Sequence, residues 1–230
     1  MKTDYSTQMR IMKVAVLGLT AVLSFFAFAG CVKLERPTLD RKFYTLDVKR
    51  EGVSAQGGKS EKNLIVRRIK ISPRYEDRDL VYRVGVNEFE ADYYNAFFVA
   101  PASLMTQELR LWMRDSGLFT NVVSPESMGT GELLLEGVVN SIYGDYTGGS
   151  SKAVIEMQFF LLDNNDPDMP IVYSRNFSKA IPAKETGADA LVRAMNKGLK
   201  EIFTELESDI AELVRKRCQE EIPLPVSQEK

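Results

Sequence analysis

Side chains that move protons or hold metals are the first thing to look for, and the most versatile of them is missing. The 230 residues contain no histidine. That removes the Ser-His-Asp and Cys-His nucleophile systems, histidine-ligated zinc and an imidazole base working near neutral pH. Two cysteines, Cys31 and Cys218, are too few for a four-cysteine metal site or a disulfide framework. Gly52 to Ser60 ends in Gly58-Lys59-Ser60, close to a phosphate-cradling loop, but Gly52 stands one residue too far from Gly58. The run after it, Leu64-Ile65-Val66, is a strand pattern, whereas a phosphate loop must open into a helix N-terminus. The segment Asp163 to Asp168 offers carboxylates for calcium. Counted from Asp163, however, Asp168 stands where a calcium loop needs glycine and Ser174 where it needs glutamate. A Ser-x-x-Lys arrangement occurs only at Ser227 to Lys230, in a terminal segment with no pocket to support it. The sequence predicts no catalytic residue, no metal site and no cofactor.

Cys31 has a different chemistry available. Met1 to Lys13 carries Lys2, Arg10 and Lys13 against Asp4, and Val14 to Ala29 is uncharged throughout. A basic start, a short apolar stretch and small residues at its end read as a secretory signal over 1–30. The end of that stretch, Phe28-Ala29-Gly30-Cys31, resembles the bacterial lipoprotein signal, in which the cysteine thiol is diacylated and becomes the new N-terminus. Lipidation at Cys31 is the expectation. More than one acyl chain, at roughly 0.8 kcal/mol per buried methylene, makes such attachment effectively permanent. Val32 stands where an aspartate would resemble an inner-membrane retention signal, so the expected location is the outer membrane, lipid-anchored and facing the periplasm. Residues 31–42 read as a tether whose eleven residues after Cys31 span at most about 36–40 Å.

The rest of the chain must supply what the tether holds. Its 44% hydrophobic and 27% charged residues suit one globular domain, placed at 43–217, with a flexible tail over 218–230. Thirty Lys and Arg against 32 Asp and Glu exclude a broadly basic nucleic-acid footprint. Phe43 to Leu46 reads as a first strand, and Leu64 to Ile71 as a β-branched run with Ile65, Ile69 and Ile71 on one face. Leu80–Val84 and Glu88–Tyr94 form a hairpin around Gly85-Val86-Asn87. Pro101 opens a helix whose stripe is Met105, Leu109, Trp112, Met113 and Ser116, and Gly117 caps it. Three strands, Glu132–Tyr143, Val154–Leu162 and Ile171–Ile181, make an antiparallel meander. Thr186 opens a long final helix with one apolar stripe from Leu191 to Val214. The predicted fold is α+β, a mostly antiparallel sheet with two helices packed on one face. Within the hairpin region, Arg and Tyr crowd together, and both residue types bring large area with a polar tip. Arg74, Tyr75, Tyr82, Arg83, Tyr93 and Tyr94 are the expected partner contacts.

Several runs give the chain a family likeness. They are Arg67-Arg68, Ser72-Pro73-Arg74-Tyr75, Leu80 to Arg83, Phe89 to Asn95 and Pro101 to Leu104. Further on come Ser116 to Phe119, Leu134 to Val138, Tyr143 to Asp145 and Glu156 to Leu161. Together they resemble the ABC-type transport auxiliary lipoproteins, a family that includes the lipoprotein partner of the paraquat-inducible MCE transport system. The likeness runs over 31–215. It implies a non-catalytic accessory subunit that docks an MCE-domain subunit, with its ABC permease and ATPase, at the outer membrane. The cargo it implies is phospholipid or another hydrophobic molecule, and assembly into a homo-oligomeric ring is a further expectation. A second reading is an outer-membrane lipoprotein of envelope assembly that binds lipopolysaccharide or peptidoglycan. A periplasmic hydrolase would need a buried carboxylate pair in a cleft.

Overall fold

The computed structural model describes residues 9, 10, 12, 13, 16, 40–52 and 60–220, with side chains to residue 216. The chain divides into two units, Met1–Leu39 and Asp40–Lys230. Of the first unit, only Met9, Arg10, Met12, Lys13 and Val16 belong to the described residues, and all five are helical. Cys31, the 31–39 part of the tether and the glycines at 57 and 58 lie outside them.

In the second unit the order is β1 (Lys42–Tyr44), β2 (Leu64–Val66), β3 (Lys70–Ile71), a 3₁₀ turn (Pro73–Tyr75), β4 (Asp79–Arg83) and β5 (Phe89–Phe97). Then follow α1 (Pro101–Ser116), β6 (Val122–Val123), β7 (Leu133–Asp145), β8 (Lys152–Asp163), β9 (Ile171–Pro182) and α2 (Ala188–Glu220). The helical backbone thus runs into the segment read as a tail, and residues 221–230 lie outside the described ones.

β7 organises the sheet. One of its edges pairs antiparallel with β8 along nearly its whole length, and β8 pairs the same way with β9. Its other edge is shared by three short strands in sequence: β2 beside Leu133–Leu135, β3 beside Val138–Val139 and β4 beside Gly144–Asp145, all parallel to it. β5 extends the sheet from β4, and β1 closes that side by a parallel pairing with β5. The two-helix α+β class is observed, but the sheet is mixed and not mostly antiparallel. Among the described residues, five of its eight strand pairings are parallel. The reason is the long excursion through α1: a chain that leaves β2, β3 and β4 and returns along their direction in β7 must pair parallel.

The β-branched run at 64–71 also differs from its reading. It breaks at Arg67-Arg68 into β2 and β3, and that break resets the two-residue alternation. Leu64, Val66 and Ile69 are the buried residues, while Ile65 and Ile71 are half-buried.

The helices follow their sequence signals. Proline at the first position presets φ for α1, and Gly117 ends it in the left-handed region at φ 70°, its N–H reaching the Arg114 carbonyl. α2 starts after Gly187, whose φ is 112°, one residue later than a Thr186 cap would place it. Its stripe of Leu191, Met195, Leu199, Ile202, Phe203, Leu206, Ile210 and Val214 is buried. Rings join the layers: Trp112 of α1 lies 5.7 Å from Phe203 of α2, and Phe203 lies 6.5 Å from Phe159 of β8. Gly144 is required by this packing, because a Cβ there would stand 2.7 Å from Leu191 Cδ2.

Between β1 and Gly52, the chain forms a strap across both helices. Leu46 and Val48 turn inward and are buried. The Asp47 N–H donates to Asn196 of α2 at 3.2 Å and the Val48 N–H to Glu108 of α1 at 2.8 Å. Glu207 of α2 then accepts from Arg50 Nε at 2.9 Å, Arg50 Nη2 at 2.8 Å and Trp112 Nε1 at 2.8 Å. Burial raises the pKa of the Glu108 carboxyl above its ordinary value, although the Val48 N–H pulls the other way.

Candidate interaction surface

The six expected contact residues all lie on or beside the β4–β5 hairpin, but the structure divides them into three groups. Tyr75 is withdrawn from the surface. The 3₁₀ turn points its ring into the core, where it is 3% exposed and stacks on Tyr143 at 6.1 Å. It is a packing residue, and that part of the expectation is corrected.

Tyr82 and Arg83 are half-buried and hold the hairpin in shape. Arg83 donates to the carbonyls of Gly85 and Val86 at 3.2 and 3.3 Å, fixing the turn. The Tyr82 hydroxyl donates to Asp92 at 2.5 Å. Asp92 in turn holds an irregularity in β5. Asp79 pairs with Ala96 and Val81 with Ala91, so two steps along β4 oppose five along β5. The Asp92 carboxylate fills that bulge, accepting from the N–H groups of Tyr94 and Asn95 at 2.8 and 3.0 Å and from Asn95 Nδ2 at 2.8 Å. Burial pushes its pKa up, but these donors and Tyr82 outweigh it and leave it below the ordinary aspartate value. Tyr82 is driven the other way, first by burial and then by the hydrogen bond its hydroxyl donates to the Asp92 carboxylate.

The third group faces solvent. Tyr93 is 64% and Tyr94 53% exposed, their rings edge-to-face at 5.5 Å. In a regular strand consecutive residues would point to opposite faces. The bulge lets both tyrosines stand outside. Arg74 is also exposed, with its guanidinium 5.3 Å from the Phe89 ring. Behind it, Phe89 meets Tyr143 at 5.4 Å, so the exposed cation sits at the end of a row of rings leading to Tyr75. Val86 at the hairpin tip is 81% exposed.

Sequence reasoning missed a second exposed cluster at the other end of β5. Phe98 is 67%, Phe43 49% and Val99 45% exposed, and the two phenylalanine rings meet edge-to-face at 6.2 Å. Phe98 stands just past the end of β5, where the chain leaves the core that holds Ala96 and Phe97.

Among the described residues, no three His, Cys, Asp or Glu side chains are placed to hold a metal ion. Open concavities of about 570 Å³ beside Ile181, Arg193 and Lys197, and of about 540 Å³ beside Asn63, Arg114 and Asn121, are lined by no hairpin residue. Among the described residues, no helix is long and apolar enough to cross a membrane.

The family model of the ABC-type transport auxiliary lipoprotein component matches residues 44–207, from β1 into α2. The chain belongs to this family. Its members are auxiliary, generally non-catalytic components of ABC-type transport systems. No curated protein matches the chain. Among solved structures, the protein XCC0632 from Xanthomonas campestris shares the fold at a TM-score of 0.67 with 19% identity, over 77% of this chain and 99% of that one. An uncharacterized protein aligns at 0.60 with 14% identity, over 74% of this chain and 98% of that one. A dodecameric PelC from Paraburkholderia phytofirmans aligns at only 0.36 with 14% identity, over 66% of this chain and 91% of that one, too loosely for its twelve-fold assembly to bear on this chain.

Proposed function

We propose that this chain is a lipid-anchored, non-catalytic subunit that docks an MCE-type ABC transport assembly at the outer membrane, with phospholipid or another hydrophobic molecule as cargo. The anchor is the acylated thiol of Cys31, and the docking surface is the outer side of the hairpin. The observation that carries the reading is the Tyr93–Tyr94 pair, exposed side by side because Asp92 builds a bulge beneath it. A bulge that turns two large rings into solvent forgoes burial the fold would otherwise gain, which suits a surface meant for a partner. Arg74 beside Phe89 and Val86 at the hairpin tip enlarge the same area.

Co-purification tests it. The full chain, tagged at its C-terminus, should capture the MCE-domain subunit from detergent-solubilised membranes. The double substitution Tyr93→Ser with Tyr94→Ser should lose that capture while keeping the parent melting temperature. Unchanged capture would discard the hairpin as the docking surface. Cys31→Ala should leave unprocessed precursor or release soluble protein. If that variant still incorporated palmitate and remained in the membrane fraction, the anchor assignment would fail.

A further inference from the structure

The exposed pair at the far end of β5 needs a different occupant from the tyrosines. Phe43, Phe98 and Val99 gather where β1 enters the domain and where β5 turns toward α1. Their surroundings are polar and charged. Arg41 lies 5.9 Å from the Phe43 ring and pairs with Asp79, Lys42 precedes Phe43, and Arg78 Nη1 donates to the Phe98 carbonyl at 3.4 Å. Two aromatic rings and a valine flanked by Arg and Lys are what the water–lipid interface accommodates, with rings among the acyl carbonyls and cations toward phosphate.

Chain length indicates which membrane. Phe43 follows Cys31 by twelve residues, so even a fully extended connection keeps this corner within about 40–43 Å of the acylated cysteine. Among the described residues, no other exposed aromatic cluster of the domain is so near to that cysteine along the chain. A covalent anchor makes contact with the bilayer intramolecular, which raises the effective concentration at which a small wedge meets the headgroups. We infer that Phe43, Phe98 and Val99 form an interfacial wedge seated among the phospholipid headgroups of the membrane that holds Cys31. This rests on the anchor reading given above. The wedge fixes the orientation of the domain, so that the hairpin tyrosines are offered to a partner and not left to tumble at the end of a tether.

The test uses the full-length lipidated chain on vesicles of phosphatidylethanolamine and phosphatidylglycerol, with and without dibrominated acyl chains. Trp112, 3% exposed in the core, is the internal reference. Phe98→Trp adds a reporter at the wedge. Both proteins should float with the vesicles; the variant should lose much of its emission on brominated lipid, and the parent should keep it. Where the substitution disturbs folding, amide exchange of the parent chain reads the same contact: residues 42–44 and 96–99 should slow on vesicles relative to detergent. Flotation without quenching and without slowed exchange overturns the wedge and leaves the anchor intact. Slowed exchange that persists in detergent and follows protein concentration means that a second copy covers this corner, which also overturns the proposal. Failure to float removes the anchor and the wedge together.

Discussion

The two sides of β7 are built on different principles. On one side β8 and β9 run beside it as strands of twelve residues each, and α2 lays a continuous apolar stripe over them. On the other, three short strands pair with the same spine, the bulged β5 and short β1 extend from β4, and this margin exposes Tyr93, Tyr94, Phe43 and Phe98. The first side spends its large side chains on burial, and the second leaves several in water. Such a division separates stability from recognition. Changes in the meander and its helix should unfold the protein without any particular effect on binding, and changes on the hairpin should do the reverse.

The largest effect is expected at Phe203, whose ring lies between Trp112 and Phe159. Phe203→Ala should cost about 3–5 kcal/mol in urea unfolding, the range for emptying a buried aromatic site. Next is Glu207→Leu. It deprives Arg50 of its carboxylate and Trp112 of its acceptor, and should cost about 2–3 kcal/mol by the same measurement. Smaller again is Asp92→Asn, at about 1 kcal/mol, since an amide keeps only part of the bonding that fills the bulge. Because the folded chain holds the Asp92 pKa below its ordinary value, the stability it contributes is complete above the unfolded pKa and is lost as pH falls through the folded one. Urea titrations across the acid range should therefore show a shallower decline for the variant than for the parent. The smallest stability change, within about 0.5 kcal/mol, is expected for Tyr93→Ser with Tyr94→Ser. If that pair of substitutions destabilised the chain as much as Phe203→Ala, the division between the two sides of β7 would be wrong.

How far this was readable from the residues follows from the range over which each signal acts. The meander, the hairpin and α1 are local, and alternation, turn residues, Pro101 and Gly117 specify them within a few positions. The parallel pairings of β2, β3 and β4 with β7 bring together segments 62 to 69 residues apart, and no local pattern announces them. Tyr75 was misplaced because it follows Pro73 in a 3₁₀ turn, where two-residue alternation gives no guidance. Asp92 escaped notice for a related reason: a side chain that fills a bulge is recognised only once the register is known. The strap left a faint trace in Leu46-Asp47-Val48, but its fastening to Glu207 joins residues 157 positions apart.

The strap has a mechanical consequence. A chain drawn away from its N-terminal side first loads the parallel ladder of β1, which engages only three residues. Beyond it the load reaches Leu46, Val48 and the Arg50–Glu207 pair, which are held by two helices at once. Peeling Lys42 to Thr45 would lengthen the leash by roughly 13–14 Å before the core felt any tension. The domain thus carries its own slack ahead of a firm stop.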